Sequence, residues 1–155
     1  MSWDNLAAIN RRIIEPIANR YFFVADPVPM YVEGYDGGEF IAEVPLHPDH
    51  PERGGVRKLK FEPGKPIYVS RDDMELFKPG SFVRLKDLFN VEVIEAGEGG
   101  GIKARFHSVD YEVARENRWR MVHWVTEGKP CEVLVPEGGD ELVIRRGGFW
   151  RATQK

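Results

Sequence analysis

The sequence predicts an all-β protein of barrel type with one substantial helix at its N-terminus. About ten short segments are rich in β-branched and aromatic residues, and turn-forming Gly, Pro, Asn and Asp residues separate them. Only one segment carries apolar residues at the spacing of an amphipathic helix. A chain of 155 residues with 42% hydrophobic content can bury a real core in one domain or in two very small ones.

The helix is predicted at the start of the chain, where apolar residues recur at intervals of three and four. Ser2 or Asp4 can serve as its N-cap. Pro16 should end or kink it, because proline lacks a backbone N–H and clashes with the preceding turn. Such an apolar stripe either packs on its own domain or belongs to the end of a larger helical region. The stripe consists of Leu6, Ile9, Ile13 and Ile17.

The part of the chain that follows the helix is typical of short strands separated by turns. The stretch 45–55 contains three prolines and two glycines and is expected to form a loop. Ser70 and Asp73 resemble a capping box, and they open a predicted helical turn that ends before Pro79. The predicted strands in this part are 21–25, 28–33, 40–44, 59–61 and 66–69.

The second half of the chain contains the clearest strand signal. In the segment 102–107, apolar residues alternate with Lys103, Arg105 and His107, which is the period of a half-buried strand. The Gly-rich stretch 97–101 lacks the Lys-Ser/Thr of a phosphate loop and precedes no helix, so it is predicted to be a hairpin turn. The predicted strands in this half are 82–86, 91–96, 102–107, 121–125, 131–135 and 142–146.

The charge distribution allows RNA binding without requiring it. The net charge of −3 argues against a uniformly basic nucleic-acid binder. Residues 51–86 nevertheless hold nine basic and five acidic side chains, whereas residues 26–50 hold six acidic side chains and no Lys or Arg. RNA association depends on the local field that faces the phosphates. Ordinary alternation of solvated charge would explain the same pattern.

Composition also indicates the cellular compartment. No apolar run approaches the roughly 18 residues of a membrane span, and no signal-peptide segment opens the chain. We therefore expect a cytoplasmic location and no membrane partner. Cys131 is the single cysteine, which excludes an intrachain disulfide and disfavours a cysteine-based zinc site.

No catalytic or metal site is predicted. His47, Asp49 and His50 could ligate a metal, but no further Cys/His cluster completes a tetrahedral site. His107 and His123 have nearby or distant acids, yet no nucleophile stands in a recognisable elbow or helix-start context. We predict hydrogen-bonded or surface histidines.

The stretch KARFHSVDYEVARENRWRMVHWV at 103–125 mixes cations with aromatic residues. Cations bind phosphates, and exposed aromatic faces stack nucleotide bases. The pattern therefore suggests an RNA-contacting surface, although a strand pair with a charged outer face would look similar.

Longer motifs carry a resemblance to a known family. They are WDNLAAINRRIIEPIANRYFFVADPV at 3–28, HPDHPERG at 47–54, KPIYVSRDDMELFKPGSFVRLKDLFNV at 65–91, and DYEVARENRWRMVHWV at 110–125. In this order they resemble the anticodon-binding region of archaeal-type glutamyl-tRNA synthetases and their glutaminyl relatives. The resemblance covers residues 3–147 and implies two small β-barrels, proximal and distal, with a topology shared with a 5S-rRNA-binding ribosomal protein.

The resemblance implies an organisation and a function. Residues 1–20 would be a linker helix from the catalytic half, 21–147 the two barrels, and 148–155 a tail of open role. The HIGH and KMSKS signatures of the catalytic half do not occur. The chain alone is thus expected to be no enzyme and to hold no cofactor, because ATP and Mg²⁺ belong to the catalytic half.

The expected partner is tRNA(Glu), with tRNA(Gln) as a second candidate and no DNA, and the chain is expected to be a monomer. One alternative is a free-standing RNA-binding or ribosome-associated barrel of the 5S-rRNA-binding type, and another is a purely structural or engineered protein that no longer binds RNA. The linker-like helix favours the first reading, because a free-standing protein has little need of a domain junction.

Six basic residues are predicted to contact RNA. By position, Arg20, Arg84 and Lys86 match basic residues of the family near the anticodon. Arg84 and Lys86 stand two apart, so they should project from one strand face. A neighbouring basic belt beside the Pro/Gly loop extends this surface. The full set is Arg20, Arg57, Lys58, Lys60, Arg84 and Lys86.

Overall fold

The computed structural model describes residues 2–17, 22–45, 47, 49–50, 52, 55–97, 99–126, 129–136 and 142–150. At Phe22, Arg57, Lys129, 135–136 and 142–150 this description covers the backbone alone. Twelve strands dominate the described chain, so the all-β prediction is confirmed.

The N-terminal helix, α1, spans Trp3–Ile14, as predicted. The Ser2 hydroxyl caps it by accepting the Asn5 backbone N–H at 3.3 Å. No residue of α1 is buried, and its apolar stripe lies open on the surface. No helix in the described ranges is long and apolar enough to cross a membrane.

The strands follow the predicted segments closely. They are β1 Phe22–Ala25, β2 Val28–Glu33, β3 Phe40–Pro45, β4 Val56–Phe61, β5 Ile67–Val69, β6 Phe82–Leu85, β7 Asn90–Gly97, β8 Gly101–Ser108, β9 Arg120–Val122, β10 Trp124–Val125, β11 Lys129–Pro136 and β12 Leu142–Trp150. A 3₁₀ helix at Arg71–Leu76 confirms the predicted helical turn.

Three details differ from the sequence-based expectation. A second helix, α2, spans Tyr111–Glu116 and was not predicted, because six residues are too few to show a helical period. The predicted strand 121–125 is divided at His123 into β9 and β10. The last strand, β12, continues to Trp150, four residues beyond its predicted end and into the segment expected to be a tail.

Seven strands form a nearly closed barrel sheet, in the order β10-β5-β2-β8-β7-β6-β9. The pairs β2–β8 and β6–β9 are parallel, and the others are antiparallel. The two edge strands, β10 and β9, are consecutive in the chain and only His123 separates them. One short stretch of chain therefore supplies both edges, which brings the sheet close to closure.

Two smaller sheets complete the described structure. Strands β1 and β12 pair antiparallel, with Phe22 opposite Trp150. Strand β11 pairs with the other edge of β12. The strands β3 and β4 form a separate antiparallel pair. The architecture is thus one barrel-like sheet with a three-stranded sheet and a two-stranded ribbon.

Aromatic rings fill the space between the β3–β4 ribbon and the seven-stranded sheet. Phe89 is fully buried and lies at their centre. Its ring centroid lies 5.1 Å from that of Phe61, 5.3 Å from that of Tyr35 and 5.3 Å from that of Phe106. We call Tyr35, Phe40, Phe61, Phe89 and Phe106 the aromatic core cluster.

Candidate nucleic-acid interface

Arg84, the strand residue predicted to contact RNA, is buried. Only 7% of it is exposed, because the segment that leads into α2 covers it. Its Nη1 donates to the Val109 carbonyl at 2.7 Å and to the Asn90 Oδ1 at 3.3 Å. Burial lowers the pKa of Arg84, although Asp87 and Asp110 act in the opposite direction. Arg84 therefore lies beneath this segment in the structure, and its contact with an anticodon base stays a prediction.

Asn90 completes a buried polar network around Arg84. It is fully buried, and its Nδ2 donates to the Ser108 Oγ at 2.9 Å and to the Asp110 carbonyl at 2.8 Å. The network therefore ties β6 and β7 to the segment that precedes α2. Arg84 acts in this structure as a framework residue that positions the surface around α2.

Lys86 lies in the turn after β6, at the place where the barrel sheet nearly closes. Its backbone N–H donates to the Val122 carbonyl at 3.0 Å, and its carbonyl accepts the Trp124 Nε1–H at 2.8 Å. Burial lowers the pKa of the neighbouring His123, and the charge of Lys86 lowers it further. Asp73 and Asp87 oppose this shift.

We expect the pKa of His123 to depend on the charge of Lys86. Replacing Lys86 with methionine should raise the pKa of His123 toward 6.5, because one of the charges that lower it is removed. Asp73→Asn should lower the same pKa further. The titration can be followed by NMR of the imidazole protons, with Lys103→Met as a control that leaves it unchanged. A lower pKa in Lys86→Met would contradict the assigned geometry.

Lys58 and Lys60 lie on the β3–β4 ribbon, and acidic side chains surround them. The Lys60 Nζ lies 2.7 Å from a Glu39 oxygen and 2.9 Å from a Glu62 oxygen. These hydrogen bonds, first with Glu39 and then with Glu62, raise the pKa of Lys60 to about 12. The Lys58 Nζ lies 3.8 Å from a Glu43 oxygen. The ribbon lysines are exposed, but nearby carboxylates offset their field.

The remaining two predicted RNA contacts are not located at side-chain level. Arg57 belongs to β4 through its backbone, and Arg20 lies outside the described residues. The structure therefore places Arg84 in β6 and Lys86 directly after this strand, and it places Lys58 and Lys60 on a separate ribbon. All six assignments stay predictions.

A second group of aromatic rings lies on the surface of the barrel sheet. Phe82 and Trp119 stack with ring centroids 4.8 Å apart and planes 11° apart. His107 packs edge-on against both, at 5.5 Å from Phe82 and 5.1 Å from Trp119. Phe82 and Trp119 are partly exposed and His107 is exposed, so we call these three residues the outer aromatic cluster.

The chain around Trp119 also carries cations. Arg118 and Arg120 flank it and are exposed, and neither forms an ion pair with any described residue. By contrast, the Arg105 Nη2 lies 3.9 Å from a Glu33 oxygen and the Lys103 Nζ lies 3.9 Å from a Glu95 oxygen. Two exposed arginines without an ion pair among the described residues therefore flank Trp119.

Sequence reasoning noted the mixture of cations and aromatic residues at 103–125 but did not include it among the six predicted contacts. The missing information was α2, which turns the chain so that Trp119 meets Phe82. The available signal was Asp110, the N-cap whose carboxylate accepts the Glu112 N–H at 2.9 Å. An N-cap followed by helix-forming residues would have predicted this short helix.

Glu15, His47 and Asp49 have ligand atoms within 4.8 Å of one another. His47 is buried, and its Nδ1 accepts the Asp49 backbone N–H at 3.2 Å. The ring proton is then on Nε2, which lies 3.2 Å from a Glu15 oxygen. The Nε2 of His47 therefore joins the residue after α1 to the loop, and its Nδ1 holds the loop itself, so both ring nitrogens have hydrogen-bond partners within the protein.

Comparisons with known proteins show the family of this chain. Residues 18–112 match the family model described as "tRNA synthetases class I (E and Q), anti-codon binding domain". Phe82 and His107 lie within the matched range, and Trp119 follows it.

Similar full-length proteins are glutamate–tRNA ligases. The chain is 79% identical over 147 residues to that of Thermococcus onnurineus, a match that covers 95% of this chain and 25% of the relative. It is 80% identical to the ligase of Thermococcus kodakarensis over the same shares. The ligase of Methanopyrus kandleri is 39% identical over 152 residues, which cover 90% of this chain and 25% of the relative. This chain therefore spans about a quarter of the length of these curated relatives.

Proposed function

We propose that this chain binds the anticodon loop of tRNA(Glu). It belongs to the family of anticodon-binding domains of class I tRNA synthetases for glutamate and glutamine. The family match over residues 18–112 carries this proposal. The partly exposed stack of Phe82 and Trp119 supports it, together with Arg118 and Arg120, which have no ion pair in the described part of the chain, since loops of RNA offer unstacked bases next to phosphates.

Within a longer ligase, this region would select the tRNA while the remaining part performs the chemistry. ATP and Mg²⁺ would bind there, and no residue described here is assigned to them. We propose a cytoplasmic location and a monomeric chain, in keeping with a role in translation. The free-standing 5S-rRNA-binding alternative is not favoured, because the similar proteins are glutamate–tRNA ligases that continue well beyond this region.

We expect the isolated chain to bind a tRNA(Glu) anticodon stem-loop with micromolar or weaker affinity. Two to four phosphate contacts would give a slope of log K against log salt of roughly −1.5 to −4. The measurement is fluorescence anisotropy of a labelled stem-loop at several salt concentrations. A stem-loop with an exchanged anticodon and an acceptor-stem minihelix are the matched controls, and both should bind more weakly.

Further arms of this experiment distinguish the alternatives. A tRNA(Gln) anticodon stem-loop that binds as tightly as the tRNA(Glu) stem-loop would broaden the substrate to both tRNAs. Tighter binding of 5S rRNA would support the free-standing alternative instead. Equal affinity for the stem-loop and the minihelix, or affinity independent of salt, would contradict anticodon recognition.

A further inference from the structure

Arg118 has an unusual backbone conformation for its residue type. Its φ is +56°, and the other described non-glycine residues with positive φ are both aspartates, Asp26 and Asp87. The left-handed region costs an L-residue with a bulky side chain more than it costs glycine, asparagine or aspartate. Glycine, asparagine or aspartate would therefore adopt this backbone conformation more easily than Arg118.

The position of Arg118 explains this conformation. The Trp119 N–H donates to the Ala114 carbonyl at 2.9 Å, and the Arg118 N–H donates to the Arg115 carbonyl at 3.2 Å. This pair of hydrogen bonds forms a Schellman motif at the end of α2, whose left-handed residue is most often glycine. A strained residue at such a place suggests a function for its side chain.

The same turn places Trp119 in the outer aromatic cluster. Directly after Arg118, the Trp119 ring stacks on Phe82 at 4.8 Å, and part of its surface stays exposed. A planar nucleotide base can extend such a stack, and a positive charge one residue away can contact the adjoining phosphate. Arg118 has no ion pair among the described residues, so its charge is available.

We propose that Trp119 stacks one unpaired base of the anticodon loop, and that Arg118 contacts the phosphate next to that base. This inference rests on the proposed function, because it names the RNA atoms that this surface would hold. Stacking on an indole tolerates any base, so this subsite adds affinity and fixes the path of the loop. Discrimination between anticodons then belongs to other contacts.

The test combines protein variants with abasic RNA. The unmodified chain is titrated with a tRNA(Glu) anticodon stem-loop and with versions that lack the base at a single loop position. We expect one position at which base removal lowers affinity about 5- to 100-fold, whereas base substitution there changes it little. Trp119→Ala should cause a similar loss with the intact loop and should abolish the abasic effect at that position. Trp119→Phe should retain most of the affinity.

Arg118→Gly provides a second, independent readout. The variant should lower the magnitude of the salt slope by about 0.7, the value for one contact to single-stranded RNA. Its midpoint of thermal unfolding should be unchanged or higher, because glycine suits the left-handed backbone. Arg115→Ala is the matched control, since Arg115 lies on the same turn but its Nη1 is 3.3 Å from a Glu112 oxygen.

The outcomes separate this inference from the proposed function. If the chain prefers the cognate stem-loop while Trp119→Ala keeps the full abasic penalty and Arg118→Gly keeps the salt slope, the stacking subsite is wrong and anticodon binding stands. If the unmodified chain binds the stem-loop no better than the acceptor-stem minihelix, both are overturned. If Trp119→Ala loses affinity only because it unfolds, its unfolding midpoint will be lower while base removal still weakens binding as in the unmodified chain. That result also contradicts stacking.

Discussion

Replacing Phe89 with alanine is expected to lower the free energy of unfolding by about 3–5 kcal/mol, the range for a fully buried phenylalanine. The side chain is 0% exposed, and its ring contacts both the β3–β4 ribbon and the barrel sheet. The variant removes one ring from four aromatic pairs at once. The midpoint of thermal unfolding should fall on the order of 10 °C in a protein of this size.

Two further variants make this prediction specific. Phe89→Leu keeps most of the volume and should cost less than about 1.5–2 kcal/mol. Ile41→Ala removes a large apolar side chain from β3 that is 51% exposed, so it should change stability by no more than about 0.5–1 kcal/mol. Equal losses in Phe89→Ala and Ile41→Ala, measured by chemical denaturation, would show that the aromatic core cluster does not hold the ribbon to the sheet.

Replacing Asn90 with alanine should have the next largest effect, about 2–4 kcal/mol. The substitution removes the acceptor of Arg84 and the donor to the Asp110 carbonyl, and each buried polar group left without a partner costs about 1–3 kcal/mol. We expect the barrel residues to stay in place, but the segment before α2 loses its side-chain hydrogen bonds to Asn90 of β7. RNA affinity should fall together with stability, because Trp119 follows that segment.

An exposed asparagine supplies the control for the Asn90 variant. Asn117 also donates an Nδ2–H to a backbone carbonyl, that of Val113 at 2.8 Å, but in a solvent-exposed position. Asn117→Ala should therefore change stability by only about 0.5 kcal/mol. A loss in Asn90→Ala no larger than that in Asn117→Ala would contradict the buried network. Arg84→Ala should lower the free energy of unfolding about as much as Asn90→Ala does. Loss of a base contact alone would leave that free energy unchanged, so the measurement separates the two effects.

Local sequence rules predicted most of the elements and failed where distant segments decide the outcome. The Ser2 cap, the apolar stripe of α1 and the alternation in β8 are short-range signals, and the structure contains all three features. The order of the barrel sheet is set by tertiary pairing, so the break at His123 and the parallel β6–β9 pair had no local signature.

The candidate site was harder to predict for the same reason. Strand alternation indicates which face Arg84 occupies, but not that the Val109–Asp110 segment covers that face. Composition indicates that Lys60 is basic, but not that Glu39 and Glu62 lie within hydrogen-bond distance of it. The cations and aromatics at 103–125 were visible, yet their convergence depends on α2.

The pairing of β1 with β12 also imposes an order on folding during biosynthesis. Strand β1 pairs with β12 alone in its sheet, so its hydrogen-bonding groups have no strand partner until residues more than a hundred positions later have been synthesised. At ordinary elongation rates, that delay is on the order of 10 seconds. The strands of the barrel sheet, by contrast, have all been synthesised once Val125 has emerged. The barrel sheet can therefore be assembled on the nascent chain while β1 is still an unpaired edge awaiting its partner.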